Sequence, residues 1–232
     1  MPHRTPLFRE ILLPFLADYL RIVEPDSAQH LRLDRISLPD LDVPGWTDAE
    51  KQAFGVVAEV PSRWGEQVTI VIQVEPEALT PTELSSRLGG YFMDLEIHYC
   101  RPVLLSVLYL RGGRPGINLE TAPVSRLCDM DLLRIYFTAF GLEGARAEYY
   151  LERPEPLSWA LSALMQPIRH SRARHRQLCI ERIAAADLAA EHRTALARFV
   201  EAFLGVDSTV ENHVSMSPLS AGTRDPEPRG AA

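Results

Sequence analysis

The chain has 232 residues, of which 46% are hydrophobic and 24% are charged, and its formal net charge is −7. These values are typical of one globular domain of ordinary size, with or without an appendage, and they exclude a chain too polar to bury a core. The negative charge also argues against a surface that binds nucleic acid throughout.

The sequence favours a cytoplasmic protein without a membrane partner. No uninterrupted apolar run approaches the roughly 18 residues that a membrane helix requires. The first ten residues lack the apolar stretch of a secretory signal. Cys100, Cys128 and Cys179 are far apart and odd in number, so we expect buried free thiols and not a disulfide framework or a zinc site.

The first half of the chain predicts a helix followed by a β-hairpin. Residues 6–23 carry an apolar stripe at helical spacing, which Pro14 must kink or split. Residues 31–38 indicate at most a weak strand. Strands predicted at 55–60 and 67–74 are joined by a short connection that contains glycine, as in an antiparallel hairpin. The second strand is apolar on both faces at its centre and should lie inside the sheet.

The second half predicts a crossover and then helices. A helix capped by Thr80 or Thr82 should run to about residue 98, followed by strands at 102–110 and 132–140. Helices follow from residue 145 onward. The fold class is therefore α/β, with a mixed central sheet flanked by helices plus C-terminal helices. We expect an α/β domain over 1–168, a helical extension over 169–205 and a disordered tail over 206–232.

Two carboxylates, Glu75 and Glu77, stand where the second hairpin strand ends. Side chains at i and i+2 of a strand share one face, here roughly 6–7 Å apart. Mg²⁺ prefers hard oxygen ligands and binds one or two protein carboxylates, so this spacing is suited to a magnesium site. The other interpretation is a strand that simply ends in a polar turn at Pro76. The spacing alone leaves both open.

Positive charge is concentrated in one short stretch. Arg169, Arg172, Arg174 and Arg176 are four of the 24 basic residues and lie within eight positions. Lys51 is the only lysine, so the chain relies on guanidinium groups, which suit bidentate contact with phosphate. The cluster indicates either a DNA-backbone contact or an ordinary solvated helix face.

Several stretches, in order, resemble the restriction-endonuclease-like core of the PD-(D/E)XK nucleases. Within that superfamily they are most similar to the YhgA-like, recombination-promoting nucleases, often described as transposases. The stretches are residues 57–60, 72–77, 87–92, 102–108 and 156–165, so the resemblance covers about residues 6–168. It rests on their order and spacing, and it implies a Mg²⁺-dependent hydrolase that cuts DNA.

The chain departs from this group at two of three catalytic positions. The group has an Asp entering the first hairpin strand, where this chain has Gly55, and Gln or Lys where this chain has Glu77. Glu75 is retained. The resemblance implies that Glu75 and Glu77 bind the metal and act in catalysis. Glu59 could join them only if the partner strand brings Glu75 beside it.

The resemblance also suggests which residues contact DNA. Arg87 would contact phosphate or pair with Glu75, although an ordinary solvated or ion-paired arginine is the alternative. The arginines of the 169–176 stretch would hold the DNA backbone.

Three functions follow from these matches and departures. They are a nuclease-like protein with reduced or lost cleavage, an active Mg²⁺-dependent DNA endonuclease, and a non-enzymatic interaction module on the same fold. The sequence leaves self-association into a homo-oligomer open. We expect Glu75 and Glu77 to converge with at most one further carboxylate, Glu59, and no Asp from residues 39–48 within about 5 Å of Glu75.

Overall fold

The computed structural model describes residues 5–39, 55–127 and 130–203. Some sequence predictions fall outside these residues. They concern the three aspartates of the 39–48 stretch (Asp40, Asp42 and Asp48), Cys128 and the tail at 206–232.

The described residues form helices and strands at most of the predicted places. The helices are α1 Thr5–Leu12, α2 Leu16–Val23, α3 Pro25–Ala28, α4 Pro81–Tyr99, α5 Ala147–Leu151, α6 Pro156–Ser162, α7 Arg172–Ala185 and α8 Ala190–Ala202. The strands are β1 Val56–Pro61, β2 Gln67–Glu75, β3 Val103–Tyr109, β4 Gly116–Leu127 and β5 Met130–Gly141. The predicted break at Pro14 is confirmed, because it separates α1 from α2. None of the described helices combines the length and the apolar character needed to cross a bilayer.

The five strands form one open mixed sheet in the order β1-β2-β3-β5-β4. β1 is antiparallel to β2, and β4 is antiparallel to β5. β2, β3 and β5 run parallel to one another. The α/β class, the hairpin, the inner position of β2 and the crossover through α4 are thus confirmed. The edge strand β4 was not predicted.

α4 begins at a well-formed cap. The Thr80 side chain accepts a hydrogen bond from the Glu83 N–H, and a Glu83 carboxylate oxygen accepts one from the Thr80 N–H at 2.9 Å. This reciprocal pair satisfies two of the N–H groups that a helix start leaves without partners. The cap sets the residue at which α4 begins after β2. It therefore also sets which side chains of α4 point back toward the end of β2.

The sheet separates two apolar cores. Val71, Leu105 and Phe137 belong to the smaller core, together with Leu84, Leu88 and Leu95 of α4. The alternate strand residues Ile70, Ile72, Leu108 and Phe140 belong to a larger core with the other helices. This alternation is why β2 is apolar on both faces.

The C-terminal helices share that larger core. Phe199 of α8 packs edge-on against Phe8 of α1, with ring centroids 4.9 Å apart. Cys179 of α7 is fully buried in the same core, as expected, whereas Cys100 is exposed, so the burial predicted for it is wrong. The first and last described helices are therefore in direct contact on one side of the sheet.

Candidate functional site

Glu75 is the last residue of β2 and is almost completely buried, with 2% of its surface exposed. It lies beside Tyr109 of β3 in the parallel ladder. The carboxyl ends of parallel strands lie together at one end of the strands, and α/β proteins commonly place their ligand sites there. A buried carboxylate requires partners, because removing a charge from water is costly.

Arg87 and Gln73 supply those partners. Arg87 Nη1 lies 2.8 Å from each carboxylate oxygen of Glu75. The Gln73 side-chain amide donates a third hydrogen bond at 3.1 Å. Arg87 is 45% exposed, whereas the Glu75 side chain is 3% exposed, so the guanidinium covers the carboxylate from the solvent side. Of the possibilities named for Arg87, the ion pair with Glu75 is the one observed.

Tyr109 of β3 and Glu120 of the edge strand β4 extend this site across the sheet. The sequence did not suggest either of them. Burial raises the pKa of Tyr109, and the negative charges of Glu120 and Glu75 raise it further. Burial likewise raises the pKa of Glu120, against the opposing effect of Arg114. Glu120 could not be identified without β4, whose alternation of Ile117 and Leu119 with polar residues was the available signal. Tyr109 lies on β3, which was predicted, but its acidic neighbour Glu120 was not.

Glu77 does not continue the strand. β2 ends at Glu75, and Glu77 follows in an exposed bend. The parity argument that placed both carboxylates on one face therefore fails, because side-chain alternation holds only within a strand.

Glu59 lies at the other end of the hairpin from Glu75. It is opposite Thr69 in the ladder, six positions before Glu75, or roughly 20 Å along the strand. Its carboxylate is bound by Arg101 Nη1 at 2.6 Å. The partner strand therefore does not bring Glu75 beside Glu59, and the condition set for its participation is not met.

Position 55 is closely packed. A β-carbon at Gly55 would lie 2.7 Å from the main-chain oxygen of Ile72 and 2.7 Å from Cγ2 of Val74. Such distances are too short for carbon contacts, so an aspartate does not fit here unless β2 moves. The structure as it stands therefore has no room for a carboxylate side chain at position 55.

Within the described residues, no group of three or more His, Cys, Asp or Glu side chains is arranged to hold a metal ion. Glu75 instead faces a guanidinium and an amide N–H. These donors complement a carboxylate but cannot themselves bind Mg²⁺, which takes oxygen ligands. The described part of the site therefore does not fit the ion as it stands.

The predicted DNA-contacting arginines divide into two kinds. Arg169, Arg172 and Arg174 are exposed near the start of α7. Arg169 pairs with Glu152 at 3.4 Å, and Arg174 pairs with Glu181 at 3.3 Å. Arg176 is 5% exposed and donates from Nε to the main-chain oxygen of Ala163 at 3.2 Å, so its assignment to a DNA surface is wrong.

These observations define an α/β protein with a five-stranded mixed sheet, helices on both faces and a neutralised buried carboxylate at the end of an inner strand. Comparison of the chain with protein-family models, with curated proteins and with solved structures finds no match.

Proposed function

We propose that the chain is a nuclease-like protein of the PD-(D/E)XK type, related to the recombination-promoting nucleases, in which Mg²⁺-dependent DNA cleavage is reduced or lost and DNA binding remains. The hairpin, the crossover through α4 and the carboxylate ending an inner strand support the kinship. This part is an analogy at the level of fold, and the function depends on the site.

The contact between Arg87 and Glu75 is the observation that carries the loss of cleavage. One nitrogen of Arg87 lies 2.8 Å from both carboxylate oxygens. The guanidinium already neutralises the buried charge, so a metal ion would have to displace it and leave an arginine beside a dication. The Gly55 packing supports the same conclusion independently, because it leaves no room for a second ligand at that position.

DNA binding is assigned to Arg169, Arg172 and Arg174. All three are exposed within six positions, near the start of one helix. The ion pairs of Arg169 and Arg174 are on the surface, where such pairs contribute little and exchange readily for phosphate.

An active endonuclease is the second candidate, and the exposure of Arg87 favours it. Because its side chain is 45% exposed, the guanidinium could turn toward a bound phosphate and release Glu75 for Mg²⁺. The third candidate, an interaction module without DNA, shares the fold and differs only in its partner.

Nicking of supercoiled plasmid in the presence of Mg²⁺ or Mn²⁺ separates the first two candidates. We expect the wild-type chain to nick no faster than Glu75→Gln, with Glu96→Gln as a control that removes an exposed carboxylate from α4. Metal-dependent nicking by the wild type that disappears in Glu75→Gln but not in Glu96→Gln would establish an active nuclease.

Binding of duplex DNA at several salt concentrations tests the proposed DNA binding. Replacing Arg169, Arg172 and Arg174 by Ala in one variant should weaken binding. The slope of the logarithm of the binding constant against the logarithm of the salt concentration should fall by an amount equivalent to up to about three phosphate contacts. Arg198→Ala, which removes an exposed arginine from α8, is the matched control. A wild-type chain that does not bind duplex at low salt would contradict this part and favour the interaction module.

A further inference from the structure

An exposed aromatic and basic surface lies at the turn of the β1–β2 hairpin, at the opposite end from Glu75. We call it the Trp64 surface and define it by His30, Arg32, Arg35, Arg63 and Trp64. Trp64 is 73% exposed. The His30 ring packs against it, with centroids 5.1 Å apart and planes 30° apart.

Main-chain hydrogen bonds hold the Trp64 surface in place. The turn joins the segment around residue 31 through the Leu31–Ser62 bridge. The Arg63 N–H donates to the His30 carbonyl, and the Arg32 N–H donates to the Pro61 carbonyl, both at 2.8 Å.

The Ser62 side chain also stabilises the turn through hydrogen bonds. Ser62 Oγ accepts hydrogen bonds from the N–H groups of Trp64 and Glu66, at 3.3 and 3.1 Å. The exposed indole is therefore presented by an ordered turn, which lowers the entropy lost when a ligand binds.

The guanidinium groups of this surface are available. Arg32, Arg35 and Arg63 are exposed, and none of them forms an ion pair within residues 5–39, 55–127 and 130–203. The same two segments, 30–38 and 62–66, also carry Asp34 and Glu66. Three arginines against two carboxylates leave a local excess of one positive charge on a chain whose net charge is −7.

We propose that the Trp64 surface binds single-stranded nucleic acid, with an unpaired base stacked on the indole and the adjoining phosphates against Arg32, Arg35 and Arg63. Stacking requires an exposed aromatic face, and guanidinium groups supply the phosphate contacts. A single strand fits better than a duplex, whose bases already stack on one another.

A protein partner is the competing ligand class, since Trp and Arg are also frequent in protein interfaces. The composition of the surface favours nucleic acid. In the two segments, Leu38 is the only large apolar residue besides Trp64 that is prominently exposed, whereas the same segments carry three exposed arginines.

This proposal does not rest on the proposed function. Gln67 and Glu75, at the two ends of β2, are eight positions apart, or roughly 26 Å. A ligand on the Trp64 surface is thus separate from Glu75, and the arginines near the start of α7 are not part of it.

Binding of a fluorescein-labelled oligothymidylate of about 15 nucleotides, followed by anisotropy at low salt, tests the proposal. We expect Trp64→Ala to weaken binding about tenfold or more and Trp64→Phe to restore most of it. Replacing Arg32, Arg35 and Arg63 with Ala should weaken binding and lower its salt dependence. Leu119→Ala is the control, because Leu119 is also 73% exposed but lies on β4.

Two results would overturn the proposal. The first is a failure of the oligonucleotide test, either because the wild-type chain does not bind or because Trp64→Ala binds equally well. The other is that Trp64→Ala abolishes self-association measured by sedimentation and leaves oligonucleotide binding intact, which would assign the surface to a second copy of the chain. Plasmid nicking and duplex binding by the α7 arginine variants are measured separately, so failure here leaves the proposed function standing.

Discussion

Glu75 and Gly55 are the two residues on which the proposed loss of metal binding depends. Glu75 is bound by Arg87, at 2.8 Å to both oxygens, and Gly55 packs against the Ile72 carbonyl. Under the proposed kinship with the PD-(D/E)XK nucleases, Glu75 would correspond to one metal ligand and Gly55 to the position of a second. The Arg87 guanidinium would then compete with a metal ion at the first position, and the close packing would exclude a carboxylate from the second.

Gly55→Ala should destabilise the fold by about 1–3 kcal/mol, the usual effect of forcing extra atoms into a packed site. The added carbon would lie 2.7 Å from both the Ile72 oxygen and Val74 Cγ2. Urea unfolding measures the change, and Gly55→Asp should lose at least as much stability. A Gly55→Asp variant as stable as the wild type would show that the position accepts a carboxylate and would reopen the case for a restorable metal site.

At the scale of elements, the sequence predicted what local chemistry determines. The Pro14 break, the glycine-containing hairpin turn and the Thr80 cap each depend on residues close in the chain, and each is confirmed. β4 was missed because Pro123 interrupts its pattern, and its ladder with β5 shifts register there. An edge strand tolerates such a proline, but only the fold shows that the strand is at an edge.

The candidate site was harder to predict than the fold. Strand parity states which face a side chain occupies but not where the strand ends or how the ladder is aligned. Strand parity misplaced Glu77 because β2 stops at Glu75. The condition set for Glu59 is not met because the register places it opposite Thr69. Glu120 was missed together with its strand. These are all long-range features that pairing between distant segments determines.

The two glycines of α4 should respond differently to the same substitution. Gly90 faces open space, so Gly90→Ala should stabilise the protein by about 0.5–1 kcal/mol through higher helix propensity. A β-carbon at Gly89 would lie 3.1 Å from Val124 Cγ1, so Gly89→Ala should gain less or destabilise. Urea midpoints of the two variants serve as controls for each other. Equal shifts would mean that packing of α4 on β4 is not close at this point.

At the scale of the whole molecule, a buried polar cluster connects the C-terminal helices to the rest of the larger core. Ser162 Oγ of α6 lies 3.2 Å from His175 Nε2 and 3.3 Å from Cys179 Sγ, both on α7. Nearby, Glu148 accepts hydrogen bonds from the N–H groups of Ile168 and Arg169, at 2.7 and 2.6 Å. Buried polar groups stabilise the packing only while they have hydrogen-bond partners. Protonation of His175 would alter these hydrogen bonds, so the packing of α7 on the core should depend on pH.

Acidification should therefore weaken the folded state through His175. Burial lowers the pKa of His175, although the negative charge of Glu148 opposes the shift. Since the folded pKa lies below the unfolded value of 6.5, the stability contribution is complete above pH 6.5 and is lost as pH falls, by at most about 1.4 kcal/mol per pH unit. Urea unfolding from about pH 8 to 5 should show this decline, and His175→Gln should flatten it. His98→Gln, at an exposed histidine, is the control; His175→Gln and wild-type profiles that stay parallel would mean that other groups set the acid sensitivity.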